Sequence, residues 1–400
     1  MNRSRREMLH LAGAGLATVV SSSSAQLAWA QVKEEAENEP ITLVRKGIDK
    51  DIEIINIDLL EEQARRMLSE GVYVFISHGN GDQWTLRENR RAFGDYVFTP
   101  HRMGGIVRTG IDTSVTMLGQ TFPHPVFVSP MGSHGLVHPE GEVATAQGAA
   151  KSGGLLCVSS ASTQSMEDIS KASQGPKWFQ MYLTVDEGES REVLERVRNA
   201  GFKAVILTID AIGQGSSDEY VRLGRNRPWL PYGNFPTGNA NAFKTNLTWA
   251  DLEFVRKTTG LPVVIKGITR PEDAAAAVKA GAAAIQVSNH GGRALDGTPA
   301  AISVLPQIAD AVNGEVPIIM DGGIRRGMDV AKALALGANA VAVGRPVWWA
   351  LTVAGAGGVG GLMNYFQSEL VNTMLHCGVD KISALGREHV RPAERRTSTS

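Results

Sequence analysis

A histidine and an arginine stand three positions apart in the segment VSNHGGRALDG, residues 287–297. An imidazole exchanges a proton near neutral pH, and a guanidinium can hold a carboxylate through two hydrogen bonds. The glycines between them, Gly291 and Gly292, leave room for a ligand to approach closely. His290 and Arg293 are therefore candidates for removing a proton from an anionic substrate. Taken alone, one histidine among nine is more often structural or exposed than catalytic.

Two further charged residues come at the ends of apolar runs. Lys266 ends PVVIK and Asp210 ends AVILTID. A lysine at such a position either needs an anionic partner or extends its charge to the rim of the fold, and the run alone does not decide between these two arrangements. A carboxylate such as that of Asp210 could hold the second nitrogen of His290 and stabilise its protonated form.

Two glycine-rich loops, DGGIRRG at residues 321–327 and VGRP at residues 343–346, have the composition of a phosphate site. Glycines expose backbone N–H groups, helix N-termini favour anions, and Arg325 and Arg345 can add charged hydrogen bonds. Either loop alone is equally well explained as a tight turn with a solvated arginine. Together the two loops favour a phosphorylated ligand.

These candidates all follow short apolar runs typical of buried parallel strands. Eight such runs occur, at residues 126–130, 155–160, 178–183, 204–210, 262–266, 283–288, 317–321 and 340–344. Amphipathic helical stretches lie between most of them. The alternation predicts an α/β fold in which eight parallel strands close into a single (β/α)8 TIM barrel. An open, doubly wound parallel sheet is the alternative.

The carboxyl ends of barrel strands converge on one mouth, where enzymes of this architecture place their active sites. The longest interval between runs lies between the fourth and fifth, and its Gly, Asn and Pro content predicts a lid or substrate loop after strand four. The mouth collects mostly polar, titratable and glycine residues: Pro130, Met131, Gly132, Ser159, Gln180, Tyr182, Thr208, Asp210, Lys266, Ser288, His290, Arg293, Asp321, Gly322, Gly323, Arg325, Gly344 and Arg345.

The start of the chain has the composition of an export signal. MNRSRREML, with Arg5 and Arg6, precedes a Gly/Ala-rich apolar stretch and the cleavage pattern AWA at residues 28–30. This order predicts a twin-arginine signal over residues 1–30, cleavage near Ala30 and a periplasmic location. A net charge of −1 and the lack of a long Lys/Arg block argue against nucleic acid or an anionic membrane as the main partner.

The remaining segments divide as follows. Residues 31–54 are acidic and aperiodic and are predicted to be a leader, residues 55–390 the barrel domain, and residues 391–400 a polar tail. An N-terminal helical extension is predicted from Asp58, as N-cap, to Leu68. Cys157 and Cys377 are expected to be free thiols, because Cys157 lies within an apolar run.

Several motifs resemble one family. KGITRPEDA, VSNHGGRALDGTPA, DGGIRRGMDVAKALALGA and VGRPVWWAL resemble motifs of the FMN-dependent α-hydroxy-acid oxidases and dehydrogenases, which include lactate oxidase, glycolate oxidase and mandelate dehydrogenase. The resemblance spans about residues 55–390, and SHGLVHPEGE and NYFQSEL are closest to the lactate-oxidase branch.

The resemblance implies oxidation of a 2-hydroxy acid to a 2-oxo acid with FMN and no metal. It assigns the base to His290, its carboxylate partner to Asp210, the cation near the reduced flavin to Lys266, and substrate binding to Arg293 and Tyr182. The implied acceptor is oxygen, a quinone or a cytochrome, and relatives are commonly homotetramers. The implied cofactor contacts are Pro130, Met131, Gly132, Ser159, Gln180, Thr208, Lys266, Ser288, Asp321, Gly322, Gly323, Arg325, Gly344 and Arg345.

Three positions depart from the family pattern. Phe75 replaces a tyrosine and Ser217 an arginine that bind the substrate carboxylate, and Ala161 replaces an aromatic residue of the pocket wall. Each lost hydrogen bond to a charged group is worth about 1.5–3 kcal/mol. Either an arginine of the lid loop (Arg222, Arg225 or Arg227) replaces them, or the substrate is larger or is not a small carboxylate.

Two other functions remain compatible with the sequence. The first is a flavin-binding protein with an altered substrate, such as an alcohol without a carboxylate, or with little hydroxy-acid turnover. The second is a phosphate-binding barrel of the isomerase type without flavin chemistry.

Overall fold

A computed structural model describes residues 52–394 apart from residues 214, 225–227, 239 and 241. Three short strands come first: β1 (Tyr96–Phe98), β2 (Val115–Met117) and β3 (Gln120–Phe122). The next eight strands are parallel: β4 (Val126–Met131), β5 (Leu156–Ser159), β6 (Lys177–Met181), β7 (Val205–Thr208), β8 (Val263–Ile268), β9 (Ala284–Val287), β10 (Ile318–Asp321) and β11 (Ala340–Val343). A last strand, β12, spans Val390–Pro392.

The eight parallel strands close into a barrel in the order β4 to β11. Closure is made by the pairing of β11 with β4, in which Val341 lies opposite Val126. The prediction of a (β/α)8 barrel is confirmed, because the open, doubly wound alternative requires two free sheet edges that these strands do not have.

Helices cover the barrel and extend it at the N-terminus. They are α1 (Ile57–Met67), α2 (Glu70–Ser77), α3 (Trp84–Arg91), α4 (Gly141–Lys151), α5 (Met166–Ala172), α6 (Glu187–Asn199), α7 (Asp218–Arg222), α8 (Trp249–Thr259), α9 (Pro271–Lys279), α10 (Ala301–Val312), α11 (Gly327–Ala335) and α12 (Arg345–Cys377). Helix α12 is interrupted at Ala354 and Gly355, whose backbone angles are not helical. Short 3-10 turns lie at Ala92–Asp95, Arg108–Gly110, His134–Leu136, His290–Gly292, Ile382–Ala384 and Arg387–His389. No helix in this described part of the chain is long and apolar enough to cross a membrane.

The barrel interior is apolar at one end and polar at the other. Alternate strand residues face inward, so Phe127, Trp178 and Ile206 form a buried layer near the strand starts. The hairpin β2–β3 covers this end, because the ring of Phe122 lies 4.9 Å from that of Phe127 and 6.2 Å from that of Trp178. The polar candidates therefore all lie at the opposite end of the barrel.

Both cysteines are free and buried. Cys157 belongs to the apolar interior layer, and burial raises the pKa of its thiol. A thiol held in its neutral form is a poor nucleophile, so Cys157 has a packing role.

The N-cap of the N-terminal extension lies two residues earlier than the sequence predicts. The N-cap of α1 is Asn56, whose side-chain oxygen accepts the N–H of Leu59 at 2.8 Å, and Asp58 is inside the first turn. The prediction of Asp58 as N-cap is therefore wrong, although its carboxylate still favours the helix N-terminus. At the other end, Arg391 and Pro392, which the sequence places in the polar tail, belong to β12 and pair with β1.

Candidate active site

At the carboxyl end of the barrel, His290 lies between the carboxylate of Asp210 and the hydroxyl group of Tyr182. His290 Nδ1 lies 2.8 Å from Asp210 Oδ1, and Nε2 lies 3.3 Å from the hydroxyl of Tyr182. The strands β9, β7 and β6 end just before these three residues, so barrel closure brings them together. The imidazole has one nitrogen on a carboxylate and the other in an accessible position, which is the arrangement of a general base.

Asp210 remains ionised over the pH range in which enzymes work. Burial would raise the pKa of its carboxyl group, but the charges of Lys266 and His290 outweigh burial and hold the pKa at about 2. Its stabilising contribution is complete above its ordinary pKa of 3.8 and is lost as the pH falls through about 2. Asp210 is therefore available to stabilise a protonated His290.

We expect Asp210→Asn to lower the rate of flavin reduction by substrate about 10²-fold, because the protonated imidazole loses its counter-charge. Anaerobic stopped-flow reduction at saturating substrate measures the effect. A variant that is reduced at the wild-type rate would contradict a role for the pairing.

Lys266 is buried inside the barrel beside the carboxylate of Asp321. Its side chain is 4% exposed, and its Nζ lies 3.9 Å from Asp321 Oδ2. Asp321 accepts hydrogen bonds from Ser288 Oγ at 2.8 Å and from Gln286 Nε2 at 2.7 Å. The alternative of a lysine reaching out to the rim is thus excluded, and a positive charge is fixed within the polar end of the barrel.

The polar end has buried groups whose partners are incomplete, as a cofactor site requires. Ser159 Oγ donates to Gln180 Oε1 at 2.8 Å, whereas the buried atoms Gln180 Nε2 and Thr208 Oγ1 have no hydrogen-bond partner among the described residues. Because buried polar groups in native proteins are almost always paired, these atoms indicate a polar ligand. A flavin ring carries N–H and C=O groups along one edge and fits this set of donors and acceptors.

The two glycine-rich loops each carry a buried arginine that forms no salt bridge with any carboxylate in the described ranges. Arg345 Nη2 donates to the carbonyl oxygens of His78 at 3.0 Å and Gly291 at 2.9 Å. Arg325 lies over the ring of Trp349 at 5.2 Å. Burial lowers the pKa of both guanidinium groups, and the Nε atom of each is buried without a partner in the part of the chain that the structure describes. Two desolvated cations that make no salt bridge with a described carboxylate fit the phosphate of FMN.

Arg293 is held against the N-terminal extension. Its Nη1 donates to the carbonyl oxygen of Phe75 at 2.7 Å and to that of His78 at 3.2 Å. The guanidinium also lies over the Phe75 ring at 5.2 Å, so Phe75 contacts this arginine without offering a hydroxyl group. The partly buried ring of Phe75 is 6.4 Å from that of Trp348.

The lid loop does not supply a replacement cation through Arg222. This exposed side chain pairs with Glu70 at 2.6 Å and with Glu219 at 2.5 Å, so the expectation that it folds back to the mouth is not supported. Arg225 and Arg227 lie outside the described residues. Ser217 is buried and caps α7, its Oγ accepting the N–H of Tyr220 at 3.1 Å.

The structure places the remaining predicted residues at the same end of the barrel. Pro130 and Met131 end β4, where Gly132 packs against Ala161, and Gly322, Gly323 and Gly344 follow β10 and β11. Sequence reasoning missed Gln286, which is 1% exposed and donates to Asp321. The two-residue alternation of inward positions along β9 was the signal that could have identified it.

Fold and site together define a class of protein: a (β/α)8 barrel with a histidine–aspartate pair at its mouth, a buried lysine and two buried arginines in glycine-rich loops that suit a flavin-type cofactor. The sequence model of the family described as FMN-dependent dehydrogenase matches residues 64–392. The chain belongs to this family. Its cofactor is FMN, and it is an oxidoreductase that acts on CH–OH groups.

Individual relatives agree with the family assignment. An L-lactate oxidase of Nostoc sp. is 41% identical in an alignment 351 residues long that covers 82% of this chain and 95% of that protein. A peroxisomal (S)-2-hydroxyacid oxidase of Arabidopsis thaliana is 37% identical and covers 86% of this chain and 98% of its own. The crystal structure of a lactate oxidase of Pediococcus acidilactici matches with a TM-score of 0.84 at 37% identity, covering 88% of this chain and 99% of that one. These similarities confirm the resemblance found in the motifs.

Proposed function

We propose that the enzyme oxidises a 2-hydroxy acid to the corresponding 2-oxo acid, with His290 as the base. The observation that carries the proposal is the position of His290 between Asp210 and Tyr182 at the barrel mouth. Arg293, three positions along the same loop, supplies the charge for a substrate carboxylate.

The residues divide the work of the reaction. Arg293 binds the carboxylate, and the Tyr182 hydroxyl beside His290 Nε2 orients the substrate hydroxyl. His290 Nε2 takes a proton from the substrate, and Asp210 stabilises the resulting imidazolium. When bound, FMN would accept the two electrons and the second of the two hydrogens that the substrate loses. The buried positive charge of Lys266 would stabilise the negative charge of the reduced cofactor at the polar end of the barrel.

An anaerobic screen of 2-hydroxy acids of increasing side-chain size tests this function, with bleaching of the flavin absorbance as the signal. We expect bleaching by at least one member of the series and none by the matching 2-oxo acids. Purified protein that holds FMN but is bleached by no 2-hydroxy acid would instead support a flavin protein with a non-carboxylate alcohol as substrate. Phe75 and Ser217 are the observations that favour this second candidate.

Restoring the missing hydroxyl group at position 75 should improve binding of a small substrate. Phe75 lies against Arg293, so a tyrosine there places a hydrogen-bond donor next to the proposed carboxylate site. A bond to a charged group worth about 1.5–3 kcal/mol corresponds to roughly a 10- to 150-fold lower KM for lactate. Steady-state kinetics of Phe75→Tyr measure this effect. The control is Phe254→Tyr, because Phe254 also lies under an arginine, Arg191, but on another face of the protein. An unchanged KM for lactate would show that the pocket does not hold a small carboxylate at this position.

Oxygen is the acceptor that the relatives favour, because those described above carry the name oxidase. A quinone or a cytochrome would instead suit an enzyme placed in the periplasm. The yield of hydrogen peroxide per substrate, compared with the yield of reduced dye, distinguishes an oxidase from a dehydrogenase.

Export through the twin-arginine route is supported by residues 1–30, all of which lie outside the described residues. This route carries folded proteins, which suits an enzyme that must receive FMN before it leaves the cytoplasm. A reporter fused after Ala30 should reach the periplasm and should remain inside the cell when Arg5 and Arg6 are replaced by lysine. Continued export of that variant would overturn the proposal.

A homotetramer is the assembly that the family resemblance implies. Light scattering of the purified enzyme measures the mass directly, and a monomeric mass would exclude a tetramer.

A further inference from the structure

We propose that Asn89 is a positioning residue for the base, acting through an amide pair with Asn289 on the turn that carries His290. This inference rests on the proposed role of His290. It assigns part of the active-site geometry to helix α3, which precedes the barrel in the sequence.

The turn that carries His290 has an uncommon backbone. His290, Gly291 and Gly292 have φ angles of 58°, 63° and 76° in succession. A positive φ is unfavourable for a residue with a side chain, and a histidine keeps it only where surrounding contacts impose it. Two such contacts are internal to the turn: the N–H of Gly292 donates to the main-chain oxygen of Asn289 at 3.0 Å and to its side-chain Oδ1 at 3.2 Å.

Asn89 fixes the orientation of the amide that closes this turn. Asn89 Nδ2 donates to Asn289 Oδ1 at 2.8 Å, and Asn289 Nδ2 donates to Asn89 Oδ1 at 2.8 Å. Both side chains are buried, with Asn89 only 1% exposed. These reciprocal bonds, with a bond from Asn289 Nδ2 to the carbonyl oxygen of Pro299 at 2.9 Å, hold the Asn289 amide in one orientation and keep its oxygen on the N–H of Gly292.

Helix α3 is itself held firmly at this position. Asn89 Oδ1 also accepts the N–H of Ala301, the first residue of α10, at 3.3 Å. A Cβ at Gly323, where φ is 80°, would come 1.9 Å from the main-chain oxygen of Asn89, so only glycine allows this contact. The described hydrogen bonds of the Asn89 side chain go to Asn289 and Ala301, and not to His290 itself. Asn89 therefore acts on the base through the turn.

The experiment compares Asn89→Ala, Asn289→Ala and the double variant, all loaded with FMN. We expect each to lower the rate constant of flavin reduction at saturating substrate by about tenfold to 10²-fold, because small displacements of a catalytic group are costly. KM and FMN content should stay close to the wild-type values. The double variant should be no slower than the slower single variant, since the two amides act as one unit.

Thr85→Val is the matched control on the same helix. Thr85 is also fully buried, and its hydroxyl donates to the carbonyl oxygen of Thr298 at 3.2 Å and accepts its N–H at 3.0 Å. This variant removes two buried hydrogen bonds from α3 without touching Asn289, so its reduction rate should stay near that of the wild type. Equal losses in Thr85→Val and Asn89→Ala would overturn the inference, as would additive losses in the double variant.

A measurement independent of turnover separates this inference from the proposed function. Hydrogen exchange at the amide of Gly292 should be faster in Asn89→Ala than in the wild type and unchanged in Thr85→Val. If Asn89→Ala does not fold, Asn89→Ser, whose cavity can admit water, gives the same comparison. Unchanged exchange at Gly292 would overturn the inference, whereas failure of every 2-hydroxy acid to bleach the wild-type flavin would overturn only the proposed function.

Discussion

Replacing His290 with alanine is expected to leave FMN bound and to lower the rate of flavin reduction by substrate about 10²–10⁴-fold. The side chain contacts Asp210 and Tyr182 at the mouth, whereas the candidate phosphate arginines lie on other loops. Loss of the imidazole therefore removes the proposed proton acceptor and leaves the candidate cofactor contacts in place. Anaerobic stopped-flow bleaching at saturating substrate gives the rate constant, and the absorbance ratio of flavin to protein gives the FMN content.

His376→Ala is the control for this variant, because His376 is exposed on α12. Its reduction rate should equal that of the wild type. A His290→Ala protein that bleaches at the wild-type rate would show that another group takes the proton. A variant that loses both FMN and activity would show instead that His290 is needed to hold the cofactor.

The second large effect is expected for Lys266→Met. Removing the buried cation should slow flavin reduction about 10²–10³-fold. It should also make the midpoint potential of the bound FMN more negative, because the reduced flavin would lose a nearby positive charge. Lys266 also holds the pKa of Asp210 low, so its loss should make Asp210 easier to protonate. The potential is measured by redox titration against a reference dye.

A second buried lysine offers a matched control. Lys332 on α11 is 9% exposed and donates to the carbonyl oxygen of Phe93 at 2.9 Å. Lys332→Met also removes a buried cation, similar in exposure to Lys266, but this cation lies on a helix outside the barrel interior. Its stability should fall while the flavin potential stays at the wild-type value. Equal shifts of potential in both variants would show that general charge loss, and not the position of Lys266, sets the potential.

The sequence predicted the barrel because each inner strand is a continuous apolar run. Every one of the eight runs overlaps an observed strand, with ends that differ by a few residues, as at residues 204–210 against Val205–Thr208. The strand ends also led to the pairing of His290 with Asp210. Parallel strands in a closed barrel present their carboxyl ends on one side, so strand order alone was enough to predict that these groups meet.

The parts that the sequence did not predict depend on contacts between distant segments. The amide pair of Asn89 and Asn289 joins positions 200 residues apart. No local pattern encodes it, because either asparagine alone is compatible with a cap or a turn. The prediction of the α1 N-cap was wrong for a different reason. Asn56 and Asp58 are both good N-cap residues, and the helix begins after Asn56, with Ile57, Leu60 and Ala64 buried in the core.

The seam between β11 and β4 joins the two ends of the barrel domain, since Val343 lies opposite Val128. The candidate ring contacts at Pro130 and the candidate phosphate contacts at Gly344 follow these two strands, so a single FMN would touch both sides of the seam. Binding a ligand only to the closed form shifts the folding equilibrium toward closure by mass action. The yellow colour of the protein would then report that β4 and β11 have paired, so flavin absorbance would follow closure of the barrel.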